Sequence, residues 1–170
     1  MIRVETPIHF SVIKRLKVGD QIELYGKIYA GRDAVLPKIC QLIHENRLTE
    51  LGVDLLGSVI FHTAVTEAGI GPTTSGKVEI EGSIPLLSKA GVKVHLGKGA
   101  LQPRTVKELH RWNSVFAVTP PVSAVFHQSL KGKRVVAFPE EGMEAFFELR
   151  VEKLPAIIAI AHGKSIFSKI

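Results

Sequence analysis

The sequence has one cysteine, Cys40, in 170 residues. An internal disulfide needs two cysteines, and a self-contained zinc or iron–sulfur site built on cysteine needs about four. Both are excluded on this chain, so chemistry of that kind would need ligands from elsewhere. Cys40 itself lies among apolar positions, with no surroundings that would lower the pKa of its thiol, which favours a core residue over a nucleophile.

Long apolar runs are also lacking. The longest, Leu154–Ala161, is eight residues long, whereas a membrane-spanning helix needs roughly 20. The first ten residues have no apolar core of the kind that a secretory signal requires. We therefore expect a soluble, cytoplasmic protein with no membrane partner.

Aromatic ladders and metal-ligand spacings are absent as well. One tryptophan and two tyrosines give no series of stacking surfaces among cations, which disfavours a groove for single-stranded nucleic acid. The seven histidines show no H-x-x-x-H spacing, and we expect each at the surface or hydrogen-bonded in the core. The sequence thus predicts no nucleic-acid partner and no metal site on this chain.

Positive charge is present in excess. Lys and Arg number 22 against 16 acidic residues, a net charge of +6. Taken alone, this excess favours an anionic partner, which could be nucleic acid, a phosphate or carboxylate substrate, or an acidic protein surface. A charge that only maintains solubility fits the composition equally well. Hydrophobic residues make up 45% and charged residues 22%, which is typical of a folded globular domain.

Strand and helix patterns alternate along the chain. Gln21–Ala30 alternates polar with apolar residues and predicts a half-buried strand. Asp33 is placed to cap a following helix, whose apolar side begins at Val35. Further predicted elements are strands at Leu55–Thr63, Val92–Leu96, Val115–Val118, Arg134–Phe138, Ala145–Val151 and Ala156–Ala161, helical turns at Ile84–Ala90 and a helix from Pro103. The expected fold class is one α/β domain with a mixed sheet over residues 1–170.

Three predicted strand ends carry a cation beside glycine: Gly31-Arg32-Asp33, Gly76-Lys77 and Gly97-Lys98-Gly99. Glycine lets a ligand approach the backbone closely, and Lys or Arg at such a place can hold a carboxylate or a phosphate. Ligands of open α/β sheets bind beyond strand ends, so we expect the three loops to converge on one site. Each loop alone is more typical of a solvated turn.

The segment Gly71–Lys77 also spells G-x-x-x-x-G-K, most of a nucleotide phosphate-binding loop. The next residue in that motif is Ser or Thr, which holds magnesium, but here it is Val78. The motif also requires a helix directly after it. Val78–Pro85 alternates and then breaks, which predicts that no helix follows. A nucleotide site is therefore disfavoured.

In their order and spacing, the three loops resemble a known enzyme family. The segments that carry the resemblance are Gly26-x-Ile28-Tyr29-x-x-Arg32-Asp33, Gly71-Pro72-Thr73-Thr74-Ser75-Gly76-Lys77, Gly97-Lys98-Gly99 and Gly142-Met143-Glu144-Ala145. They resemble the β subunit, or C-terminal domain, of class I fumarate hydratases over nearly the whole chain. The resemblance implies a single compact swivelling domain of β/β/α layers.

The resemblance also implies an activity and a partner. It implies a lyase that reversibly removes water from (S)-malate to give fumarate, at a site shared with an α subunit. That subunit would carry a [4Fe–4S] cluster on three cysteines, and the fourth iron would act as a Lewis acid on the substrate hydroxyl and a carboxylate. This chain would be active only in a hetero-oligomer, for example α2β2, and would bind a small dicarboxylate.

By resemblance, five side chains would contact the substrate. Arg32 would pair with a carboxylate through its planar fork, and Lys98 would stabilise the charge that develops as a carbon-bound proton leaves. Thr73 matches a threonine considered as the base, with a carboxylate or histidine of the α chain as the rival. Thr74 and Lys77 would add contacts. The structural supports would be Asp33, which caps the helix and holds Arg32, and the glycines Gly76, Gly97 and Gly99.

Departures from the family pattern leave the substrate open. The family usually has arginine where this sequence has Lys77, so a point charge replaces a bidentate contact. Thr119–Ala124 stands where family members commonly show a glycine pair. Close relatives dehydrate tartrate; Ser75-Gly76 is more similar to the fumarate hydratases, but an L-tartrate dehydratase β subunit is one alternative. A non-catalytic module that binds organic anions is the other.

Overall fold

A computed structural model describes residues 1–66, 69–73, 77–120 and 123–167, and within these ranges it leaves out the side chains of residues 66, 69–73, 77–80 and 123. The strands are β1 (Ile2–Glu5), β2 (Gln21–Ala30), β3 (Val59–Phe61), β4 (Thr63–Thr66), β5 (Gly69–Thr73), β6 (Val94–Gly97), β7 (Val115–Val118), β8 (Leu130–Ala137), β9 (Phe146–Ala161) and β10 (Lys164–Ser165). The helices are α1 (Phe10–Arg15), α2 (Leu36–His44), α3 (Lys77–Lys89), α4 (Pro103–Arg111) and α5 (Ser123–Ser129), with 3₁₀ segments at Leu48–Leu51 and Pro139–Glu144.

The main sheet is mixed and closes on itself. β2, β3, β6 and β7 run parallel, in that spatial order. The long strand β9 is antiparallel to them and pairs with β7 in one part and with β2 in another, so these five strands form a small barrel. β1 pairs with β2, β8 and β10 pair with β9, and β4 and β5 form a separate two-stranded sheet. The predicted α/β class with a mixed sheet is confirmed.

One face of the barrel strands forms the main core. Ile22, Leu24 and Ile28 are fully buried, whereas Gln21 and Lys27 of the same strand are exposed, which confirms the predicted alternation of β2 up to Ile28; Tyr29 is 8% exposed and belongs to the second core cluster. Alternate residues of the other barrel strands join this cluster: Val59, Phe61, Val94, Leu96, Val115, Ala117, Leu149 and Val151. Burial of each large aliphatic side chain stabilises the fold by about 1.5–3 kcal/mol.

The opposite face of the sheet is covered by helices. Leu36 and Ile39 of α2 pack with Ile60 of β3 in a second cluster. Leu109 of α4 packs with Phe116 of β7 in a third. Residues of odd and even number on one strand therefore contact different layers, which is why the parallel strands are buried on both faces.

Helix α3 corrects a sequence prediction. Val78–Pro85 was predicted to be non-helical, but α3 is continuous from Lys77 to Lys89. Ile84 and Leu87 are fully buried at the i, i+3 spacing of one helix face, and α3 packs against α2 and α4. Tertiary packing of that face outweighs the helix-weakening effect of Gly82 and of the proline inside the helix.

The other strand predictions differ mainly in their bounds. Val115–Val118 has the predicted limits, but β3 is shorter than predicted because a turn at Leu56-Gly57 precedes it. The two strands predicted at Ala145–Val151 and Ala156–Ala161 are one strand, β9. It stays continuous through a register shift opposite β2, where Lys153 adopts a φ of +54°, as in a β-bulge.

Candidate active site

The parallel strands end at one edge of the barrel, and two of the predicted loops lie there. Ala30, Phe61 and Leu96 are aligned across β2, β3 and β6. Immediately beyond them, the Gly31 N–H donates to Phe61 O at 3.0 Å and the His62 N–H donates to Leu96 O at 2.9 Å. Neighbouring strands are about 4.8 Å apart. β3 lies between β2 and β6, so the loops that carry Arg32 and Lys98 leave the same edge of the sheet about 10 Å apart.

Arg32 is held by Glu144, which lies 112 positions away along the chain. Its Nε donates to Oε1 at 2.6 Å and to Oε2 at 2.9 Å, and its Nη2 lies 2.5 Å from Oε1. The two side chains are 27% and 29% exposed. The hydrogen bond to Glu144 outweighs desolvation and raises the pKa of Arg32 above its ordinary value. A fixed guanidinium at a strand end is suited to binding an anionic ligand.

Asp33 does not have the predicted capping role. Helix α2 begins at Leu36, its N-cap is Val35, and no side chain caps it. The carbonyl of Arg32 instead accepts from the N–H groups of Val35 and Leu36, at 3.1 and 2.9 Å. Asp33 is exposed, so its carboxylate stays in solvent, and its attraction for Arg32 is smaller than that of Glu144.

Lys98 lies in a turn at the end of β6. Glycine is required on one side of Lys98, at position 99. Gly99 has a φ of +89°, a backbone conformation that residues with a side chain rarely adopt. Lys98 is exposed, and no ion pair of this residue occurs in the described ranges. Its ammonium group is thus available to a ligand or to a partner chain.

The third predicted loop is described only in part. Thr74 and Gly76 lie outside the described residues, as does Ser75. Thr73 is the last residue of β5 and pairs with Thr63 of β4, which brings its backbone to the edge reached by β3. Lys77 is the first residue of α3. The convergence of Arg32, Lys77 and Lys98 on one pocket stays a prediction.

Two buried histidines lie at the same edge of the sheet. His62 follows β3 directly, and its Nε2 lies 3.2 Å from Nδ1 of His95 on β6. His95 Nε2 in turn lies 2.9 Å from the Ser88 hydroxyl. Both rings are fully buried, which confirms the prediction of hydrogen-bonded core histidines at two of the seven positions. Desolvation lowers the pKa of His62 to about 4, so its ring is neutral near pH 7.

Cys40 is not activated. Its thiol is partly buried beside α3 and contacts the Ser83 carbonyl at 3.7 Å. Burial raises the pKa of this thiol, which disfavours the thiolate that metal binding and nucleophilic attack require. Within the described residues, His, Cys, Asp and Glu form no group of three or more that could hold a metal ion.

The described helices also bear on membrane contact. None of them combines the length and the apolar character needed to cross a bilayer.

Comparisons with known proteins agree on one family. The sequence profile of the family described as Fumarase C-terminus matches residues 1–170. A Methanocaldococcus jannaschii protein provisionally named L(+)-tartrate dehydratase subunit beta is 33% identical over 173 residues, 93% of this chain and 87% of that protein. The anaerobic class I fumarate hydratase of Escherichia coli is 29% identical over 168 residues, 93% of this chain but 30% of that enzyme. The L(+)-tartrate dehydratase subunit beta of Escherichia coli is 28% identical over 177 residues, 96% of this chain and 85% of that subunit.

Proposed function

This chain belongs to the fumarase C-terminus family, as its three cationic loops predicted, and on that premise we propose that it is the β subunit of a two-chain class I fumarate hydratase. The reaction proposed is the reversible dehydration of (S)-malate to fumarate. The observation that carries the proposal is the placement of Arg32 and Lys98 in loops at one edge of the barrel. A guanidinium held by Glu144 and an exposed ammonium group in a loop at the same edge suit a ligand with two carboxylates.

Each residue has a role in the proposed reaction. Arg32 binds one carboxylate of the substrate, and Lys98 stabilises the negative charge that develops when a carbon-bound proton is removed. Thr73, Thr74 and Lys77 supply further contacts, with Thr73 a candidate for moving the proton. Gly99 lets the substrate approach the turn that carries Lys98, whereas Gly97 is buried and leaves room for the ring of Phe116.

Two observations support the proposed α subunit: the share of a full-length relative that this chain matches, and the number of cysteines in this chain. The E. coli fumarate hydratase is matched over 30% of its length, and the proposal assigns the remaining part of such an enzyme to an α subunit. Iron–sulfur clusters are held mainly by cysteine thiolates. This chain has one cysteine, whose burial disfavours the thiolate, so its residues do not fit a cluster. In the proposal, the α subunit holds the [4Fe–4S] cluster.

Tartrate is the second candidate substrate. Two relatives named L(+)-tartrate dehydratase subunit beta match this chain over 87% and 85% of their own length. L-Tartrate differs from malate by one additional hydroxyl. A site built to hydrogen-bond that hydroxyl discriminates strongly against the substrate that lacks it.

Co-expression with the α subunit of the same organism under anaerobic conditions tests the proposal. We expect the purified complex to dehydrate (S)-malate and to hydrate fumarate, with L-tartrate assayed alongside. An Arg32→Ala variant of the complex should lose most of its activity, whereas an Arg134→Ala variant, which removes an exposed arginine from the Arg134–Glu148 pair, should keep it.

The outcomes separate the alternatives. A preference for L-tartrate would identify the tartrate dehydratase. An assembled complex with an intact cluster and no activity on malate, fumarate or tartrate would contradict an enzymatic function. In that case, calorimetric titration of the isolated chain with malate and fumarate would show whether it is an organic-anion-binding module.

A further inference from the structure

Glu144 occupies one particular edge of the Arg32 guanidinium. The carboxylate lies against Nε and Nη2, which is the side-on arrangement of an arginine–carboxylate pair. A guanidinium carries five N–H donors, of which the side-on edge uses the Nε–H and one N–H of Nη2. Both N–H groups of Nη1 and the second N–H of Nη2 remain.

The remaining edge is suited to a second carboxylate. Within the described residues, the hydrogen bonds and ion pairs of the Arg32 side chain involve Nε and Nη2 alone. The two terminal nitrogens, Nη1 and Nη2, form a planar pair of donors that matches the two oxygens of a carboxylate. A ligand can therefore bind Arg32 end-on while Glu144 stays in place.

Glu144 is itself firmly anchored. The residues that follow it, Ala145 and Phe146, are 2% and 0% exposed, and the Phe146 ring stacks on Tyr29 of β2 with centroids 5.3 Å apart. β2 is the strand that leads into Arg32. Arg32 and Glu144 are thus attached to neighbouring strands, β2 and β9, which pair with each other at this end.

A second contact ties the segment before Glu144 to the helix after Arg32. Lys38 Nζ on α2 donates to Glu141 Oε1 at 2.8 Å. The 3₁₀ segment Pro139–Glu144 therefore contacts the helix that follows the Arg32 loop through an exposed ion pair, and the residue after next, Phe146, contacts the strand that precedes that loop. An arginine side chain has about 2 kcal/mol of rotamer entropy when free, and an anchored carboxylate removes much of that freedom before a ligand arrives.

We infer that Glu144 is a positioning residue that holds Arg32 side-on, so that the Nη1 and Nη2 edge is presented to a substrate carboxylate. The inference rests on the proposed function, because it names the residue that orients the carboxylate-binding arginine of that site. Arg32 then contacts a carboxylate that does not react, in the ground state and in the transition state alike. Loss of its orientation raises KM and leaves kcat nearly unchanged.

The test uses the complex with the α subunit and measures KM and kcat with (S)-malate, fumarate and L-tartrate. The variants are Glu144→Ala, Glu144→Gln, Arg32→Lys and the double variant Arg32→Lys/Glu144→Ala. Glu50→Ala is the matched control, because Glu50 binds Nε and Nη2 of Arg47 in the same side-on geometry, at 2.6 and 2.9 Å, at an exposed place beyond α2. Thermal unfolding is measured for each variant.

The expected result is a rise in KM of about tenfold for Glu144→Ala, the effect of weakening one charge-assisted hydrogen bond. Glu144→Gln keeps one acceptor oxygen and should fall between Glu144→Ala and the wild type. Glu144→Ala should add nothing to Arg32→Lys, since lysine has no fork to orient, and Glu50→Ala should leave KM unchanged.

Other results would overturn the inference. A fall in KM would mean that Glu144 competes with the substrate for Arg32. A fall in kcat at unchanged KM, together with a lowered melting temperature, would show a structural role only, and so would a KM rise that persists in the Arg32→Lys background. If the wild-type complex acts on none of the three substrates, the proposed function fails and the inference fails with it; if the wild type is active and Glu144→Ala behaves like Glu50→Ala, the inference alone fails.

Discussion

The imidazoles of His62 and His95 lie 3.2 Å apart, from Nε2 to Nδ1, in a fully buried pair behind the edge that carries Arg32 and Lys98. The Ser88 hydroxyl contacts the far nitrogen of His95, and Nδ1 of His62 has no hydrogen-bond partner among the described residues. Desolvation lowers the pKa of both rings, and His62 lowers that of His95 further. Burial therefore favours the neutral form of both rings.

We expect this pair to make the free energy of unfolding depend on pH. The pKa of His62 is about 4 in the folded chain against an ordinary value of 6.5, so between these values the unfolded state binds more protons than the folded state. Stability should be highest above pH 6.5 and fall as the pH decreases towards 4. His62 alone should cost about 2 kcal/mol at pH 5. Urea unfolding at pH 7.5 and at pH 5 measures the difference.

His62→Gln removes the titrating ring, so the free energy of unfolding should fall less between pH 7.5 and pH 5 in this variant than in the wild type. His95→Gln is the second variant, in case His62→Gln does not fold. His44→Gln removes an exposed imidazole. Between pH 7.5 and pH 5, the free energy of unfolding of this variant should fall by as much as that of the wild type. Equal losses in the wild type and in His62→Gln would contradict the prediction.

Lys98 should matter for turnover more than for stability. Its side chain is exposed and lies at the proposed site, so Lys98→Ala should lower kcat/KM of the complex by about a hundredfold, comparable with the loss of one transition-state donor. Lys98→Arg keeps the charge and should retain part of the activity. Lys107→Ala changes an exposed lysine of α4 and should have little effect. Steady-state kinetics with (S)-malate distinguish these results, and near-normal activity of Lys98→Ala would exclude the proposed role.

The residues of the site differ in how far the sequence could predict them. The placement of Arg32 and Lys98 directly after strands could be predicted, because the residues of those strands alternate and a glycine stands beside each cation; their contact with a substrate stays a prediction. Glu144 belongs to a motif that was recognised, but its bond to Arg32 joins positions 112 apart, and no local pattern specifies such a distant partner. The contact arises from the closure of the barrel by β9.

The fold shows the same limit. The parallel strands were predictable because their side chains alternate or form short buried runs between turns. Helix α3 was not predictable, because the low helix propensity of Gly82 and Pro85 opposes it. The burial of Ile84 and Leu87 stabilises the helix in spite of that propensity. Only packing against α2 and α4 supplies that burial.

Glu81 should stabilise the start of a helix other than its own. α4 begins after Gln102 without a side-chain cap or an acidic residue in its first turn. Oε1 of Glu81, on α3, accepts instead from the Gln102 N–H at 2.6 Å and from the Thr105 hydroxyl at 2.8 Å. We expect Glu81→Ala to reduce the free energy of unfolding by about 1 kcal/mol, the usual cost of a lost N-cap.

Urea denaturation checks the Glu81 prediction. Glu81→Gln keeps a carbonyl acceptor and should lose less than Glu81→Ala. Glu152→Ala, at an exposed position of β9, should be within about 0.5 kcal/mol of the wild type. If Glu81→Ala were as stable as Glu152→Ala, the cap supplied by α3 would contribute nothing.

Two glycines should respond in opposite directions to alanine. Gly26 on β2 has a φ of +104°, and a Cβ there would lie 2.5 Å from Oγ1 of Thr6. That hydroxyl donates to the Lys27 carbonyl at 2.7 Å, so it cannot move without losing a bond. Gly82, inside α3, has no positive φ and nothing within 4 Å of an added Cβ. Gly26→Ala should therefore destabilise the chain by at least about 1 kcal/mol, whereas Gly82→Ala should stabilise it by about 0.5–1 kcal/mol through helix propensity. Thermal or urea unfolding of both variants measures the contrast, and a stabilising Gly26→Ala would contradict the strained conformation assigned to β2 beside Thr6.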